Sequence, residues 1–562
     1  MKTYFSARER GTILKEMASD TLDVLVIGGG ITGAGIALDG SVRGLHIGLV
    51  EKADFGSGTS SRSTKLIHGG LRYLKQGEVK LVQEVGKERE ILYRNAPHLV
   101  IPAPMLLPIY KGGTYGYWAS SIGLYIYDVL AGVARKERRK MLRSEATKKT
   151  EPLLKVDGLK GGGLYYEYRT DDARLTLDIV KTAVKHGAKA INYAKVTEFI
   201  YDSTGQVVGV KVQDQLNGKR INLFAKKVVN AAGPWVDGVR DLDGSLQGKR
   251  LFLTKGVHLV VDYQRLPVKQ SAYFDTPDGR MVFVIPRGRI TYIGTTDTAY
   301  DQSIDEPRAT KADRNYLIQA VNAMFPEVKL KEEDIESHWA GLRPLIYEEG
   351  KGPSELSRKD ELFISSSGLI TIAGGKLTGY RKMAEKVVNL VSRDLNTSLG
   401  RALVKCTTDQ VIISGGERMG YTSFANWKKE LFKRGVTLDL EEDIVREWID
   451  VYGTNTLKIY KKLSDLPKNS PHRALRAQLA YSIEEEMTVN ATDFLRLRTG
   501  WTYFNLKKAT KYGSIIISYM AEMLGWDQTE VQKQKEMVSN LLKQIHELPD
   551  SDQPLRSLAI GE

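Results

Sequence analysis

Leu22-Asp-Val-Leu-Val-Ile27 runs without a break into Gly28-Gly-Gly-Ile-Thr-Gly33. The first six residues are apolar and rich in branched side chains, the pattern of a strand buried on both faces of a parallel sheet. Gly28, Gly30 and Gly33 fit G-x-G-x-x-G, and small residues follow at Ala34, Gly35 and Ala37, so the next helix can lie close to the sheet. A second strand, His46 to Val50, ends on Glu51. Strand, glycines, helix, strand and acid fall in this order within about thirty residues, as a βαβ dinucleotide-binding unit requires. The physics is specific: a pyrophosphate sits at the helix N-terminus, around Gly30, Ile31 and Thr32, and the acid takes ribose hydroxyls, with Lys52 beside it.

Two later segments decide which dinucleotide. Lys226-Lys-Val-Val-Asn-Ala-Ala-Gly-Pro-Trp235 reads as a strand ending in a small-residue turn. Ser367-Gly-Leu-Ile-Thr-Ile-Ala-Gly-Gly-Lys-Leu-Thr378 reads as another, with Gly374-Gly375 opening a helix towards Arg393. A nicotinamide fold normally completes itself in consecutive βαβ units, whereas a chain that returns twice to the same site suggests a discontinuous FAD domain. The last helix N-terminus is expected to face the flavin ring, where its partial positive charge stabilises the reduced anion.

Composition narrows the class further. A chain of 562 residues exceeds what one core serves, so two or three domains are expected. Cys406 is the only cysteine, which excludes a disulfide framework, a cysteine zinc site and a dithiol redox pair. Redox chemistry then requires a cofactor to carry electrons, the thiol fits a reducing cytoplasm, and no metal is expected. Residues 1–20 contain seven charged side chains and no apolar run, so no cleaved signal peptide is expected. Gly116 to Ala134 is apolar but contains Asp128, Ser120, Ser121 and tyrosines 117, 125 and 127, which reads as a buried or interfacial segment. The net charge of +14 is densest just after it, with eight cations between Arg135 and Lys149 against Glu137 and Glu145. That order predicts a peripheral contact with anionic membrane; a charged helix beside a core segment reads the same way. No RNA-recognition motif is present, so no nucleic-acid partner is expected, and a homodimer is left open.

Ser60-Ser-Arg-Ser-Thr-Lys-Leu-Ile-His-Gly-Gly-Leu-Arg-Tyr73 packs hydroxyls, bases and glycines into one stretch. Val257-His258-Leu259 sets a histidine in a strand, which is more often a packed residue than a catalyst. Trp339-Ala-Gly-Leu-Arg-Pro344 holds Arg343 in extended backbone, ahead of a proline. Together, Ser63 to Leu74, Ile293-Gly-Thr-Thr-Asp-Thr298, Ala340 to Pro344 and Ala373-Gly-Gly-Lys-Leu-Thr378 resemble the signature of FAD-dependent glycerol-3-phosphate dehydrogenases. The resemblance spans nearly the whole chain, including Glu484-Glu-Glu-Met487 and Asp493-Phe-Leu-Arg-Leu-Arg-Thr499 in the helical C-terminal region. Gly379 departs from it, standing where a small hydroxyl residue is expected.

The resemblance implies oxidation of sn-glycerol 3-phosphate to dihydroxyacetone phosphate, with electrons passing from FAD to membrane quinone. It implies a phosphate clamp of Arg72, Tyr73, Arg343 and Lys376, and His258 as the base, with His68 as runner-up. It adds Ser60, Ser61, Lys65, Leu66, His68, Gly70, Val196, Ala232, Gly233, Trp235, Gly375, Lys376, Leu377 and Thr378 to the cofactor contacts. The alternatives are a glycerophosphate oxidase that uses dioxygen, an amine or amino-acid oxidase of related fold, and a flavin-bearing nucleic-acid-binding protein. The expected architecture is α/β: a discontinuous Rossmann-like FAD domain (1–80, 165–245, 360–400), an interleaved antiparallel-sheet substrate domain (81–164, 246–359) and a helical C-terminal domain (401–562).

Overall fold

Every residue of Leu22–Ile27 is buried, because the strand lies inside a parallel sheet covered on both faces. In the computed structural model, which describes residues 5–68, 79–113, 116–130, 132–133, 135–347, 360–399, 404–420 and 423–550, it pairs in parallel with Ile47–Val50 and with Arg220–Asn230. Ile370–Gly374 continues the sheet beyond Arg220–Asn230, Lys189–Ile191 extends it on the other side, and Asp360–Ile364 closes one edge antiparallel. The three glycine-ended strands are therefore adjacent in space, in the order 370–374, 220–230, 22–27. The Asn217-Gly218 turn joins Val207–Asp214 to Arg220–Asn230 as an antiparallel hairpin, with Gly218 at φ +74°, the conformation that tight hairpin turns demand.

Among the described residues, a second sheet of ten strands is almost wholly antiparallel. Leu251–Asp262 is its organising strand, paired along its length with Ile335–Ile346 and on its other side with Ile290–Gly294. Its outer face is sealed by the helix Lys311–Met324, whose Leu317, Val321 and Met324 pack with Val257, Leu259 and Val261. The expected boundary at 164/165 falls inside the strand Leu159–Arg169, which belongs to this second sheet; the chain changes sheets only after Arg169. The helix Val79–Asn95, which lies in the expected substrate segment from residue 81 on, packs Leu92 with the first core instead.

From Phe424 onward the described residues are helical. This region docks on the first sheet through buried charge. Arg498 donates to both oxygens of Asp54, at 2.6 and 3.1 Å, and Glu486 accepts from Arg174 at 2.7 and 2.8 Å and from Lys181 at 2.9 Å. Arg174 and Lys181 sit on the helix Asp172–Lys185, which packs beside the fingerprint helix Ile31–Val42. The expected interfacial segment is the helix Tyr117–Leu130, with Leu124 and Tyr127 buried and the opposite face exposed. Among the described residues no helix is long and apolar enough to cross a membrane.

Candidate active site

The fingerprint works through backbone that a side chain would obstruct. Gly28 has φ +108°, and a Cβ on Gly33 would collide with the Gly28 carbonyl oxygen. At the helix start the Ile31 N–H donates to Ser60 Oγ at 2.9 Å, which ties the loop after the second strand to the first turn. Glu51 accepts from the N–H groups of Gly29 and Ala53, at 2.7 and 2.9 Å, and burial raises its pKa. Gly28, Gly30, Ile31, Thr32, Glu51, Lys52 and Ser60 border one cavity of about 1140 Å3. Val196, Ala232, Gly233 and Trp235 line it from the second segment, and Gly375, Lys376 and Leu377 from the third. Lys52 lies 4.1 Å from the Trp235 ring centroid and pairs with Asp305 at 2.6 Å.

Several expected contacts sit elsewhere. The Lys65 ammonium is buried against Asp172 at 2.6 Å and the Ser61 carbonyl at 2.8 Å, so it ties loop to helix rather than bordering the cavity. Leu66 is core, and the Ser61 hydroxyl turns back to the Gly58 carbonyl at 3.4 Å. Thr378 Oγ1 donates to the His68 carbonyl at 3.5 Å, and neither residue borders the cavity. The third-segment helix starts at Tyr380, after a tight turn over Leu377–Gly379, and not directly at the glycine pair. Gly70, Arg72 and Tyr73 lie outside the described residues.

The second sheet supplies the other wall. His258 faces Gly294 on one neighbouring strand and Trp339 on the other. Its ring stacks on Trp339 at 4.8 Å and 11°, and Nε2 lies 3.0 Å from Thr64 Oγ1. A Cβ on Gly294 would occupy the space of the imidazole. Burial first, then the charges of Arg343 and Lys65, hold the histidine well below its usual pKa, so it is neutral at working pH. Arg343 lies over Gly256, where a Cβ would strike the guanidinium. It donates to Thr295 Oγ1 at 3.0 Å and to the Thr296 carbonyl at 3.3 Å, and pairs with Asp297 at 3.2 Å. His258, Arg343 and Lys376 thus border the same cavity as the dinucleotide cradle.

Sequence reasoning left Thr64, Trp339, Thr295 and Asp297 without roles, although each lies in a quoted motif. The overlooked signal was glycine inside strands at 256, 294 and 341, which marks close approach. It also missed Arg496, although it lies in the quoted Asp493–Thr499 stretch, and Tyr503, Leu541, Gln544 and Ile545 of the helical region, which border the cavity too and for which no local pattern signals so distant a contact.

A family profile described as FAD dependent oxidoreductase matches residues 23–381, and one described as the C-terminal domain of alpha-glycerophosphate oxidase matches 406–531. The chain is 51% identical over 546 residues to the aerobic glycerol-3-phosphate dehydrogenase of Bacillus subtilis, covering 96% of this chain and 98% of that one. The chain belongs to the FAD-dependent oxidoreductases, among the aerobic glycerol-3-phosphate dehydrogenases. The Staphylococcus aureus dehydrogenase is 50% identical over 542 residues, covering 96% of this chain and 97% of that one. The crystal structure of the Bacillus halodurans glycerol-3-phosphate dehydrogenase, complexed with FAD, superposes with a TM-score of 0.84 at 45% identity, covering 97% of this chain and 99% of that chain.

FAD is the family's cofactor, and the residues present fit it. Gly28 and Gly33 leave the backbone space that a pyrophosphate needs, Glu51 is an ionisable acceptor at the end of the second strand, and Trp235 and Val196 give apolar walls beside it. At about 1140 Å3 the cavity exceeds the roughly 300–1,000 Å3 usual for a drug-sized ligand, in keeping with a large dinucleotide.

Proposed function

We propose that this protein oxidises sn-glycerol 3-phosphate to dihydroxyacetone phosphate and delivers the electrons to a membrane quinone. The observation that carries this reading is a neutral histidine and an arginine fork bordering the FAD cleft. The first sheet holds the cofactor and the second the substrate. When bound, FAD supplies the acceptor for the hydride leaving C2. The chain's residues do the rest. Arg343 and Lys376, with Arg72 and Tyr73, grip the phosphate dianion, for which a planar guanidinium is well matched. A fixed phosphate holds C2 in a near-attack position. His258, oriented by Thr64 and Trp339, takes the proton of the C2 hydroxyl.

Arg343→Ala is expected to retain FAD, since Arg343 touches the second sheet and not the fingerprint, and to lose substrate. A charge-assisted contact is worth about 1.5–3 kcal/mol, so kcat/KM falls at least about tenfold. Unchanged kinetics would remove Arg343 from the site. Stoichiometric peroxide in aerobic turnover without added quinone would replace quinone by dioxygen as the acceptor.

The membrane assignment is supported by the helix Tyr117–Leu130. Trp118, Ile122, Tyr125 and Val129 are 77%, 60%, 58% and 62% exposed and fall on one face, at the spacing of a helical stripe. Such a face is a membrane-surface pattern when cations follow it, and Arg139, within the basic run, stacks 5.5 Å from the Tyr125 ring centroid. Trp118→Ser with Ile122→Ser is expected to reduce co-sedimentation with all vesicles, and neutralising the Arg135–Lys149 cations to reduce it mainly with anionic ones. Unaltered sedimentation in both variants would make this an ordinary solvated face.

A further inference from the structure

Arg62, Arg308 and Arg496, from three separate parts of the chain, border the same cavity. Arg62 follows the Thr59–Ser61 turn, two residues past the serine that holds the fingerprint helix, and its backbone packs on Gly341. Its guanidinium forms no hydrogen bond or ion pair with any described residue. Arg496 lies on a single π turn, Phe494–Arg498, closed by Thr499 N–H to the Phe494 carbonyl at 3.1 Å. That turn sends Arg498 into the core and Arg496 to the cavity. The Arg496 Nε is buried without a partner, and so is the Nε of Arg308, on a third segment bordering the cavity. The nearby acids are already engaged: Asp305 by Lys52 and Trp235, Glu306 by Gln544 and Arg308.

Half-buried like charges repel and lose part of their hydration, and a protein keeps such a cluster at a cost unless an anion completes it. Arg62 carries the signature of this conflict, its pKa lowered by burial and next by Arg496. The planar donor forks of arginine match phosphoryl oxygens. Single π turns recur where a helix is bent to function.

We propose that Arg62, Arg496 and Arg308 form a binding site for a phosphoryl oxyanion where the helical C-terminal region closes over the FAD cavity. The oxyanion has two sources: the pyrophosphate of FAD itself, or a free phosphate-bearing anion. The site stands whether or not glycerol 3-phosphate is the substrate, because it is read by binding and not by turnover.

The test compares Arg62→Gln, Arg496→Gln and the charge-keeping Arg62→Lys with the unaltered protein. Each apoprotein is titrated with FAD and with riboflavin, and each holoprotein is melted with and without inorganic phosphate or pyrophosphate at constant ionic strength. If the cofactor's pyrophosphate is the anion, both glutamine variants bind FAD at least about tenfold more weakly, bind riboflavin unchanged, and Arg62→Lys recovers part of the loss. If the anion is free, FAD affinity holds, and the rise in Tm produced by phosphate or pyrophosphate disappears in both glutamine variants. In either case the glutamine apoproteins melt no lower than the unaltered apoprotein, because a repulsive pair has been relieved. Lower-melting apoproteins would mean that the arginines are structural, and unchanged FAD affinity with an unchanged anion-induced shift would mean there is no site; either result overturns the proposal.

Discussion

Arg498→Ala is expected to lower stability by about 3–5 kcal/mol, the cost of leaving a buried charge without its partner. Arg498 is wholly buried and donates to both oxygens of Asp54 and to the Glu486 carbonyl, the last at 2.9 Å. Its loss leaves Asp54 with one side-chain donor, Asn192 at 2.8 Å. Nearby Asp493 already has its pKa pushed up to about 7, by burial and then by the charge of Asp54. Removing the arginine sharpens that conflict, so the helical region detaches at lower temperature and lower urea. Because a chain of several domains need not unfold in one step, the readout is the first transition in calorimetry and in urea titration. Adding Asp54→Asn to the variant should restore more than half of the loss, since the uncompensated charge goes too. A first transition shifted by less than about 1 kcal/mol would show that water reaches the pair and screens it.

His258→Gln is expected to lower kcat by about 10²–10⁴, the usual contribution of a positioned base. The neighbourhood also predicts how the pH profile behaves. Burial, Arg343 and Lys65 all lower the histidine's pKa, so in the free protein it stays neutral to well below pH 6.5. A phosphate dianion bound at Arg343 offsets one of those cationic influences and raises the pKa, bringing the base closer in strength to its task. Activity that depends on a neutral base is lost as pH falls through its pKa. The acid limb of kcat at saturating substrate should therefore lie above the titration of His258 in the free protein, followed by isotope-labelled histidine NMR. A limb that persists unchanged in His258→Gln would assign the proton to another group.

What could be read ahead of the structure was what short-range chemistry encodes. The strand Leu22–Ile27, its glycines and Glu51 form a unit whose pieces touch because they are near in sequence, so the pattern and the contacts coincide. The return of Arg220–Asn230 and Ile370–Gly374 was legible for a different reason, since each ends in residues that only a strand-to-turn transition explains. Lys65 shows the limit: its motif points to the cofactor, yet the ammonium is satisfied by Asp172, a residue distant in the chain. The Asp54–Arg498 pair and the convergence of Arg62 and Arg496 on one cavity were illegible for the same reason. Charged residues look solvent-facing in a linear pattern, and only the docking of the helical region removes their water. Glycines 256 and 294 carried a readable sign of crowding, but not what would crowd them.

The central strand of the first sheet has one neighbour that follows closely in the chain, Ile47–Val50, and one that comes much later, Arg220–Asn230, with Ile370–Gly374 later still. As the polypeptide leaves the ribosome, the fingerprint helix therefore emerges beside an unfinished edge, which must wait while four of the ten described strands of the second sheet are synthesised. Contacts so distant in sequence close slowly. The cavity's wall is incomplete until translation has passed Gly375 to Leu377 and then the helical residues Arg496, Tyr503, Leu541, Gln544 and Ile545 that border it.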